Sequence, residues 1–402
     1  MCAIGLGGVA MAGPLQFQQV KNVTMTSWFT GADNTFANGR HGDQIGGVHF
    51  DGTDVFLSGW TSSGNKRTGV VKVGDVLNTH TIGSVQVQTI TRGGSRMTKL
   101  VGANNNLYWG YGNGEGNTAT NTGDNDAANL NPNYGVRQID KTGVNSAAWS
   151  PRTGADLNTY NVLTSPEAQN TAATGKRIDA MAYDSNNNEI FTFDFFNTKI
   201  FRTNATTGAF IGTYDIEGSA GAGTNPDVWR DMDYDPVSKR LYTRASVINT
   251  VASRANRAGG EVFQLDTSTG TFKRAGNLFG GSNTISDNSV AKVEHARGAQ
   301  FGEFVVYNDT LASNLTIRHA YTGALLGTIT GTENGFGAFG TGNFLTSHVA
   351  QGANGKYYLM VSESNAGGTF DNLRVYQIVP EPATMVALGT GALALVRRRK
   401  KS

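Results

Sequence analysis

The most restrictive feature of this sequence is an internal repeat. A short apolar strand, a tight turn and a second strand rich in aromatic residues recur along the chain. Two clear copies are MAYDSNNNEIFTF (181–193) and MDYDPVSKRLYTR (232–244). Their turns carry Asp, Asn, Pro or Ser, which suit β-hairpins. The other copies are VHFDGTDVFLSG (48–59), KLVGANNNLYWG (99–110), AQFGEFVVYN (299–308) and HVAQGANGKYYLMV (348–361).

A second recurring pattern follows several of these hairpins and consists of a strand that ends in a Thr-Gly turn. Its copies are VRQIDKTG (136–143), KIFRTNATTG (199–208), EVFQLDTSTG (261–270) and IRHAYTG (317–323). A further strand comes after each of the last three, so one unit contains four short antiparallel strands. Successive hairpins are 52, 83, 51, 64 and 52 residues apart. Units of this size and strand number are typical of β-propeller blades.

We therefore predict an all-β fold, a β-propeller with six four-stranded blades. A seventh blade within 145–176 is the main alternative, and a two-layer β-sandwich is the third. The long 83-residue step contains polar, Gly/Asn-rich stretches at 111–133 and 151–176, which we assign to loops. The last repeat lacks a clear fourth strand, and we expect residues 15–30 to supply it and close the ring. The residue pattern of the repeats resembles that of secreted propellers, and this resemblance implies no particular activity.

Composition and charge narrow the classes of function. Charged residues make up only 16% of the chain, and Gly contributes 53 of 402 residues, which suits a turn-rich β protein with an uncharged polar surface. The net charge of +2 depends on a terminal basic block, Arg397, Arg398, Arg399, Lys400 and Lys401. No basic stripe remains for a nucleic-acid backbone. Cys2 is the only cysteine, so an intrachain disulfide and a Cys-based metal site are excluded.

The two ends of the chain look like targeting segments. Residues 1–12 are small and apolar and include Ala-Met-Ala at 10–12, so we interpret them as a signal-peptide remnant cleaved after Ala12. Near the other end, Pro380, Glu381 and Pro382 precede a twelve-residue apolar run, Met385 to Val396. As a helix this run would rise about 18 Å, less than the roughly 30 Å of a bilayer core. It suits transient membrane engagement, with the basic block retained on the cytoplasmic side.

This tripartite tail (379–402) resembles the PEP-CTERM sorting signal in motif, order, spacing and position. The resemblance implies export through the general secretion machinery, recognition of Pro380, Glu381 and Pro382 by an exosortase-type transpeptidase, and removal of the tail. It also implies transient anchoring in the inner membrane of a Gram-negative bacterium that makes exopolysaccharide. The mature protein is then expected at the outer surface or in the extracellular matrix, with the propeller occupying 13–378.

Within the body, polar residues recur close to the first strand of each repeat. One interpretation is that they gather at the mouth of the central channel and bind a sugar, a uronate or another anionic ligand, because the Arg side chain makes paired hydrogen bonds with carboxylates. The other, which we favour, is that these side chains pair with one another and satisfy the inner ends of the blades. The candidates are Arg96, Arg177, Arg230, Arg297 and His348, with Asp179, Asp231 and Glu294 beside them.

No catalytic motif stands out in the chain, and no close His pair indicates a metal site. Calcium is the one cofactor for which the sequence offers ligands, Asp124 and Asp126 on a long polar loop. The Asn-rich stretch 184–189, which also offers oxygen ligands, is instead interpreted as a hairpin turn. Trp60, Trp109, Trp149 and Trp229 either stack on sugar rings or pack between blades. We therefore predict a non-catalytic binding or structural protein, with a propeller-type polysaccharide lyase or hydrolase as the alternative.

Overall fold

The computed structural model describes an all-β body with almost no helix. No helix in the described part of the chain is long and apolar enough to span a membrane. The predicted hydrophobic helix near the C-terminus lies outside the described residues. Those residues are 15–24, 44–60, 68–78, 87–90, 99–111, 135–141, 158–160, 178–194, 199–207, 209–217, 228–246, 260–278, 292–309, 314–333, 337–340, 344–364 and 371–379.

The described residues contain 24 β-strands. In chain order they are β1 (Gln16–Thr24), β2 (Gln44–Phe50), β3 (Val55–Trp60), β4 (Thr68–Gly74), β5 (Val87–Ile90), β6 (Leu100–Ala103), β7 (Asn106–Tyr111), β8 (Gly135–Asp140), β9 (Asn158–Tyr160), β10 (Ile178–Asp184), β11 (Glu189–Asp194), β12 (Lys199–Asn204), β13 (Phe210–Ile216), β14 (Val228–Asp235), β15 (Arg240–Ser246), β16 (Glu261–Asp266), β17 (Thr271–Asn277), β18 (Val293–Gly298), β19 (Gly302–Asp309), β20 (Asn314–His319), β21 (Leu325–Ile329), β22 (Phe344–Gln351), β23 (Tyr357–Ser364) and β24 (Asp371–Val379).

These strands form four four-stranded sheets and one eight-stranded sheet. The four-stranded sheets have the orders β2-β3-β4-β5, β6-β7-β8-β9, β18-β19-β20-β21 and β1-β24-β23-β22. The eight-stranded sheet consists of two four-stranded meanders, β10 to β13 and β14 to β17, joined by a short parallel pairing of β13 with β17. The predicted four-strand unit is therefore confirmed in each sheet.

Three of the hairpins between a first and a second strand share one turn geometry. The residue at or just before the second strand has a positive φ, at Asn188 (55°), Lys239 (57°) and Gly302 (77°). Asn and Gly tolerate this left-handed conformation at little cost. Asp184 and Asp235 end the preceding strands and accept turn N–H groups two and three residues further on. Residues 184–189 thus form the predicted hairpin turn.

The expected closing strand is present as β1. It pairs antiparallel with β24 from Gln16 opposite Val379 to Thr24 opposite Asn372, and so becomes the fourth strand of the last sheet. Within the same sheet, the buried Arg374 makes an ion pair of 2.6 Å with the buried Glu363. Pairing of the two chain ends removes an open edge from each of them.

One loop assignment from the sequence is wrong. Residues 158–160 were predicted to lie in a loop, but they form the short strand β9, which pairs with β8 and completes its sheet. A three-residue edge strand is too short to produce a recognisable alternation of apolar and polar residues. The rest of the stretch from 145 to 176, where a seventh blade was the alternative, lies outside the described residues.

The first strands of successive four-stranded groups contact one another in a closed cycle. The contacts join β2 with β6, β6 with β10, β10 with β14, β14 with β18, β18 with β22, and β22 with β2. Aromatic and aliphatic side chains fill the spaces between neighbouring four-stranded groups. Phe191, Met232, Phe263 and Phe272 are fully or almost fully buried in one such cluster. The cycle brings polar side chains of β2, β14, β18 and β22 close to Lys99, which directly precedes β6.

Candidate functional site

The centre of the described body contains a buried lysine that reaches across the cycle. Lys99 directly precedes β6, and its side chain is only 8% exposed. Its Nζ atom lies 3.1 Å from Asp233 of β14 and 3.0 Å from Glu294 of β18. It also donates hydrogen bonds of 3.3 Å to the main-chain carbonyls of Met232 and Val293. One cation therefore ties three sheets together at the middle. We call Lys99, Asp231, Asp233 and Glu294 the central cluster.

Polar side chains of one first strand bind backbone N–H groups of the next. The first strands leave N–H groups along the edge that faces the axis, and buried N–H groups need acceptors. The hydrogen bonds run from Val293 N–H to Asp231 Oδ2 (3.0 Å), from His295 N–H to Asp233 Oδ2 (2.7 Å), from Val349 N–H to Glu294 Oε1 (3.1 Å) and from Phe50 N–H to His348 Nδ1 (3.1 Å). These polar residues satisfy the inner edges of the sheets.

The carboxylates of the central cluster outnumber its lysine. Burial raises the pKa of Asp231 to about 6, although the positive charges of Lys99 and Lys292 oppose the shift. Burial likewise raises the pKa of Glu294. For Lys99, burial alone would lower the pKa, but attraction to Asp233, Glu294 and Asp231 outweighs it and raises the pKa. Lys99 therefore stays charged, and its positive charge offsets the energetic cost of burying the acids.

Two histidines lie next to this cluster. The rings of His49 and His348 are 4.6 Å apart, centroid to centroid. Burial lowers the pKa of both, that of His348 to about 3, with Lys99 adding to the effect. Both imidazoles are therefore neutral at physiological pH. His348 accepts a hydrogen bond at Nδ1, so its proton is on Nε2, 3.8 Å from Glu294.

Arg297 lies in a second cluster, at the opposite end of β18 from Glu294. It pairs with Asp235 at the end of β14 and with Glu303 at the start of β19. The side chains of both acids are almost fully buried, whereas that of Arg297 is 35% exposed. The side chain of His295 is 7% exposed and lies beside Glu303. We call Asp235, His295, Arg297 and Glu303 the hairpin cluster.

The structure describes only part of the predicted ligand-binding set. His348 meets Glu294 near the axis, whereas Arg297 lies within the second half of its strand and joins the hairpin cluster. Arg230 belongs to β14, but its side chain is outside the described part, as are Arg96 and Arg177 altogether. Asp124 and Asp126, the candidate calcium ligands, also lie outside the described residues. Ligand binding by these residues stays a prediction.

Sequence reasoning missed Lys99, His49 and the alternation around Asp231. The segment Asp231-Met232-Asp233-Tyr234-Asp235 alternates acidic and apolar residues, so its three carboxylates share one face of β14. That pattern was visible in the sequence and could have identified the acidic side of the cluster. Lys99 had no comparable signal, because its partners are 134 and 195 positions away along the chain.

The one indole that the structure describes packs between the two meanders of the eight-stranded sheet. Trp229 is 2% exposed and stacks on Phe193 at 4.4 Å between ring centroids. It therefore belongs to the core and is closed to a sugar ring. Trp60 and Trp109 belong to β3 and β7, but their side chains, like Trp149, lie outside the described part.

Comparisons with solved structures found several proteins that resemble the body. An auxiliary nutrient binding protein from Bacteroides thetaiotaomicron matches with a TM-score of 0.50 at 9% identity, covering 91% of this chain and 75% of that one. A second such protein, from Bacteroides ovatus, gives 0.48 at 13% identity, covering 91% and 78%. The β-propeller domain of Cps50 (Swd1) from Myceliophteria thermophila gives 0.44 at 10% identity, covering 90% and 100%. The body is similar to propeller-like β structures.

The tail has a specific match. The family described as the PEP-CTERM protein-sorting motif matches residues 379–400, and a search of curated proteins found no match. The motif indicates export to the cell surface or the extracellular space and implies exosortase-type processing machinery as a partner. The chain therefore carries a PEP-CTERM sorting motif on the C-terminal side of an all-β, propeller-like body.

Proposed function

We propose that this protein is a non-catalytic binding or structural protein of the bacterial surface or extracellular matrix, associated with exopolysaccharide. It is exported with a signal peptide at 1–12 and held transiently in the inner membrane of a Gram-negative cell by a short hydrophobic helix at 385–396. An exosortase-type transpeptidase then releases a body of about residues 13–378. A polysaccharide is the candidate ligand, because few charged residues are available for other classes of partner.

The observation that carries this proposal is the position of the sorting motif relative to the fold. The match begins at Val379, which is also the last residue of β24. Strand β24 is hydrogen-bonded on one side to β1 and on the other to β23. A cut after Val379 would leave these pairings intact, whereas a cut before it would break a central strand of the sheet.

Six blades are the architecture that best accommodates the described strands. Six four-stranded meanders and a closed cycle of six first strands support that count. The parallel pairing of β13 with β17 joins two neighbouring blades at their outer strands. Closure by β1 and β24 holds both ends of the body in one blade, so the released protein needs no tail to stay folded.

The central cluster favours a structural or binding role over a catalytic one. Its carboxylates accept backbone N–H groups and pair with Lys99, so they are committed to holding neighbouring sheets together. A general acid or base needs a proton that a substrate can reach. The raised pKa values of Asp231 and Glu294 are explained by burial within an ion-pair network, which perturbs titration without catalysis.

The intact mass of the mature protein, recovered from native envelope and culture medium, tests the proposal. We expect loss of about residues 1–12 and a cut close after Val379, between Pro380 and Thr384. Added mass at the new C-terminus would identify the molecule to which the body is joined. Recovery of the chain with Arg397 to Lys401 still attached would contradict processing.

A matched pair of variants sharpens this test. Changing Pro380 and Glu381 to alanine should leave the tail uncut and the protein in the membrane fraction. Pro166 and Glu167 form a second Pro-Glu pair within the body, and their change to alanine should leave the mature mass pattern unaltered. Equal processing of both variants would show that the motif is not what the protease reads.

The alternative function is a polysaccharide lyase or hydrolase that acts at the channel mouth. Its one favourable observation is the raised pKa of Glu294 beside His348. We expect the purified body to leave uronate-containing and neutral polysaccharides at unchanged chain length. Depolymerisation by the wild type that Glu294→Gln abolishes would establish the enzyme instead.

A further inference from the structure

We propose that Asp235, His295 and Glu303 bind a zinc-like divalent metal ion, and that Arg297 is the displaceable cation that neutralises this site when no metal is bound. The three residues come from β14, β18 and β19, so the site bridges two neighbouring four-stranded groups. It lies at their hairpin ends, away from Lys99.

The donor atoms are close enough to share one ion. One carboxylate oxygen of Asp235, one of Glu303 and one ring nitrogen of His295 all lie within 4.8 Å of one another. Within the described residues, His295 Nε2 and Glu303 Oε2 are buried without a hydrogen-bond partner, and they are 3.7 Å apart. Buried polar atoms without partners are costly, and a shared metal ion would satisfy both.

The imidazole is held in position by its surroundings. His295 stacks on Tyr242 with ring centroids 4.9 Å apart and planes 5° apart, and its backbone N–H is fixed by Asp233. On Glu303, Oε1 already accepts from Tyr321 and pairs with Arg297, which leaves Oε2 towards His295. Once Arg297 has left the two carboxylates, only small shifts of the three ligand side chains separate this arrangement from coordination.

The donor set selects the class of metal. One imidazole and two carboxylates, with a fourth position open to water, match the ligands that zinc takes in proteins. Imidazole also suits other first-row transition ions, whereas calcium needs six to eight oxygen ligands. We therefore expect Zn²⁺ to bind and Ca²⁺ to bind far more weakly.

The charges explain how Arg297 and a metal would exchange. Two carboxylates and one guanidinium leave an excess of one negative charge, and a divalent ion in place of the guanidinium leaves none. The side chain of Arg297 is 35% exposed, so it is already partly hydrated and can turn fully into solvent. Arg297 therefore competes with metal for Asp235 and Glu303.

Calorimetric titration of the full-length chain with Zn²⁺ tests this competition. We expect Arg297→Ala to bind one ion at least tenfold more tightly than the wild type, and His295→Gln and Glu303→Gln to lose that binding. Arg202→Ala is the matched control, because it removes a comparable Arg–carboxylate pair with Glu189 in the β10 to β13 meander, outside the proposed site, and it should leave zinc affinity unchanged.

A second measurement keeps the test decisive if Arg297→Ala folds poorly. Zn²⁺ should raise the melting temperature of the wild type but not that of His295→Gln, and Co²⁺ should give visible absorption bands only with the intact site. The proposal is overturned if zinc affinity is equal in the wild type, Arg297→Ala and His295→Gln. It is also overturned if Zn²⁺ neither binds the folded Arg297→Ala variant nor shifts the wild-type melting temperature.

Discussion

Two ion-pair clusters lie between the same two strands, β14 and β18, and they obtain their cation in different ways. The central cluster takes Lys99 from a distant sheet, and that side chain is 8% exposed. The hairpin cluster takes Arg297 from β18 itself, and that side chain is 35% exposed. Both combine one principal cation with an excess of carboxylates. In both, carboxylate oxygens also accept hydrogen bonds from N–H groups of turns or strands.

The difference shows how the same chemistry serves two purposes. A cation that is fully buried and inserted from a distant sheet cannot leave without unfolding, because its departure would strand unpaired buried acids. The cation at the rim is already partly hydrated and can rotate into water, and Asp235 keeps the turn N–H groups of Val237 and Ser238 when it leaves. The buried cation of the central cluster therefore holds the sheets together permanently, whereas the cation of the hairpin cluster is exchangeable.

The largest expected effect comes from removing the buried lysine. Lys99→Met keeps most of the unbranched apolar stem but removes the ammonium group, which leaves Asp231, Asp233 and Glu294 without their shared cation. We expect the free energy of unfolding in urea to fall by about 3–5 kcal/mol. Lys273→Met, which removes an exposed pair with Asp266, is the control and should have no measurable effect. Equal losses in both variants would contradict the role of Lys99 in holding the sheets together.

The pH dependence of stability should have opposite signs at the two clusters. Burial raises the pKa of Asp231 from 3.8 to about 6, so between these values the folded chain binds more protons than the unfolded one. Its contribution to stability is present below about pH 4 and is lost as pH rises through about 6. Relative to Asp231→Asn, the wild type should lose about 2–3 kcal/mol across this window.

Asp235 provides the matched comparison. Burial would raise its pKa, but hydrogen bonds from Arg297 and Ser238 outweigh burial and lower it. Its contribution is therefore present above the unfolded pKa of 3.8 and is lost as pH falls through the lower folded value. Urea titrations of both Asn variants against pH measure these slopes. Slopes of the same sign would show that the pKa values of Asp231 and Asp235 are not shifted in opposite directions by folding.

The smallest expected effect belongs to the rim cation. Arg297→Met removes one partly exposed guanidinium from Asp235 and Glu303, and we expect a loss of about 1 kcal/mol in the free energy of unfolding. The measurement is the same urea titration at pH 7, with Lys99→Met alongside. A loss as large as that of Lys99→Met would mean that both cations hold the sheets together permanently. It would argue against exchange of the cation at the hairpin cluster.

Much of the fold was predictable from local patterns. The hairpins around 184–189 and 235–240 follow from Asp, Asn and Pro at fixed positions, and the closing role of β1 follows from the incomplete last repeat. Strand β9 was missed, because three residues on a sheet edge produce no recognisable periodicity. Trp229 could not be assigned from the sequence, since an indole that stacks on Phe193 and one that faces solvent have the same local pattern.

The sequence by itself determined the repeat, the turn chemistry and the sorting motif at 379–400, because each depends on residues that are close neighbours in the chain. Only the tertiary structure decided which charges meet. Lys99 reaches Asp233 and Glu294, and His295 reaches Asp235 and Glu303, through the closed cycle of first strands. Which carboxylates receive a buried lysine and which receive an exposed arginine depends on strand position around that cycle, which no local pattern encodes.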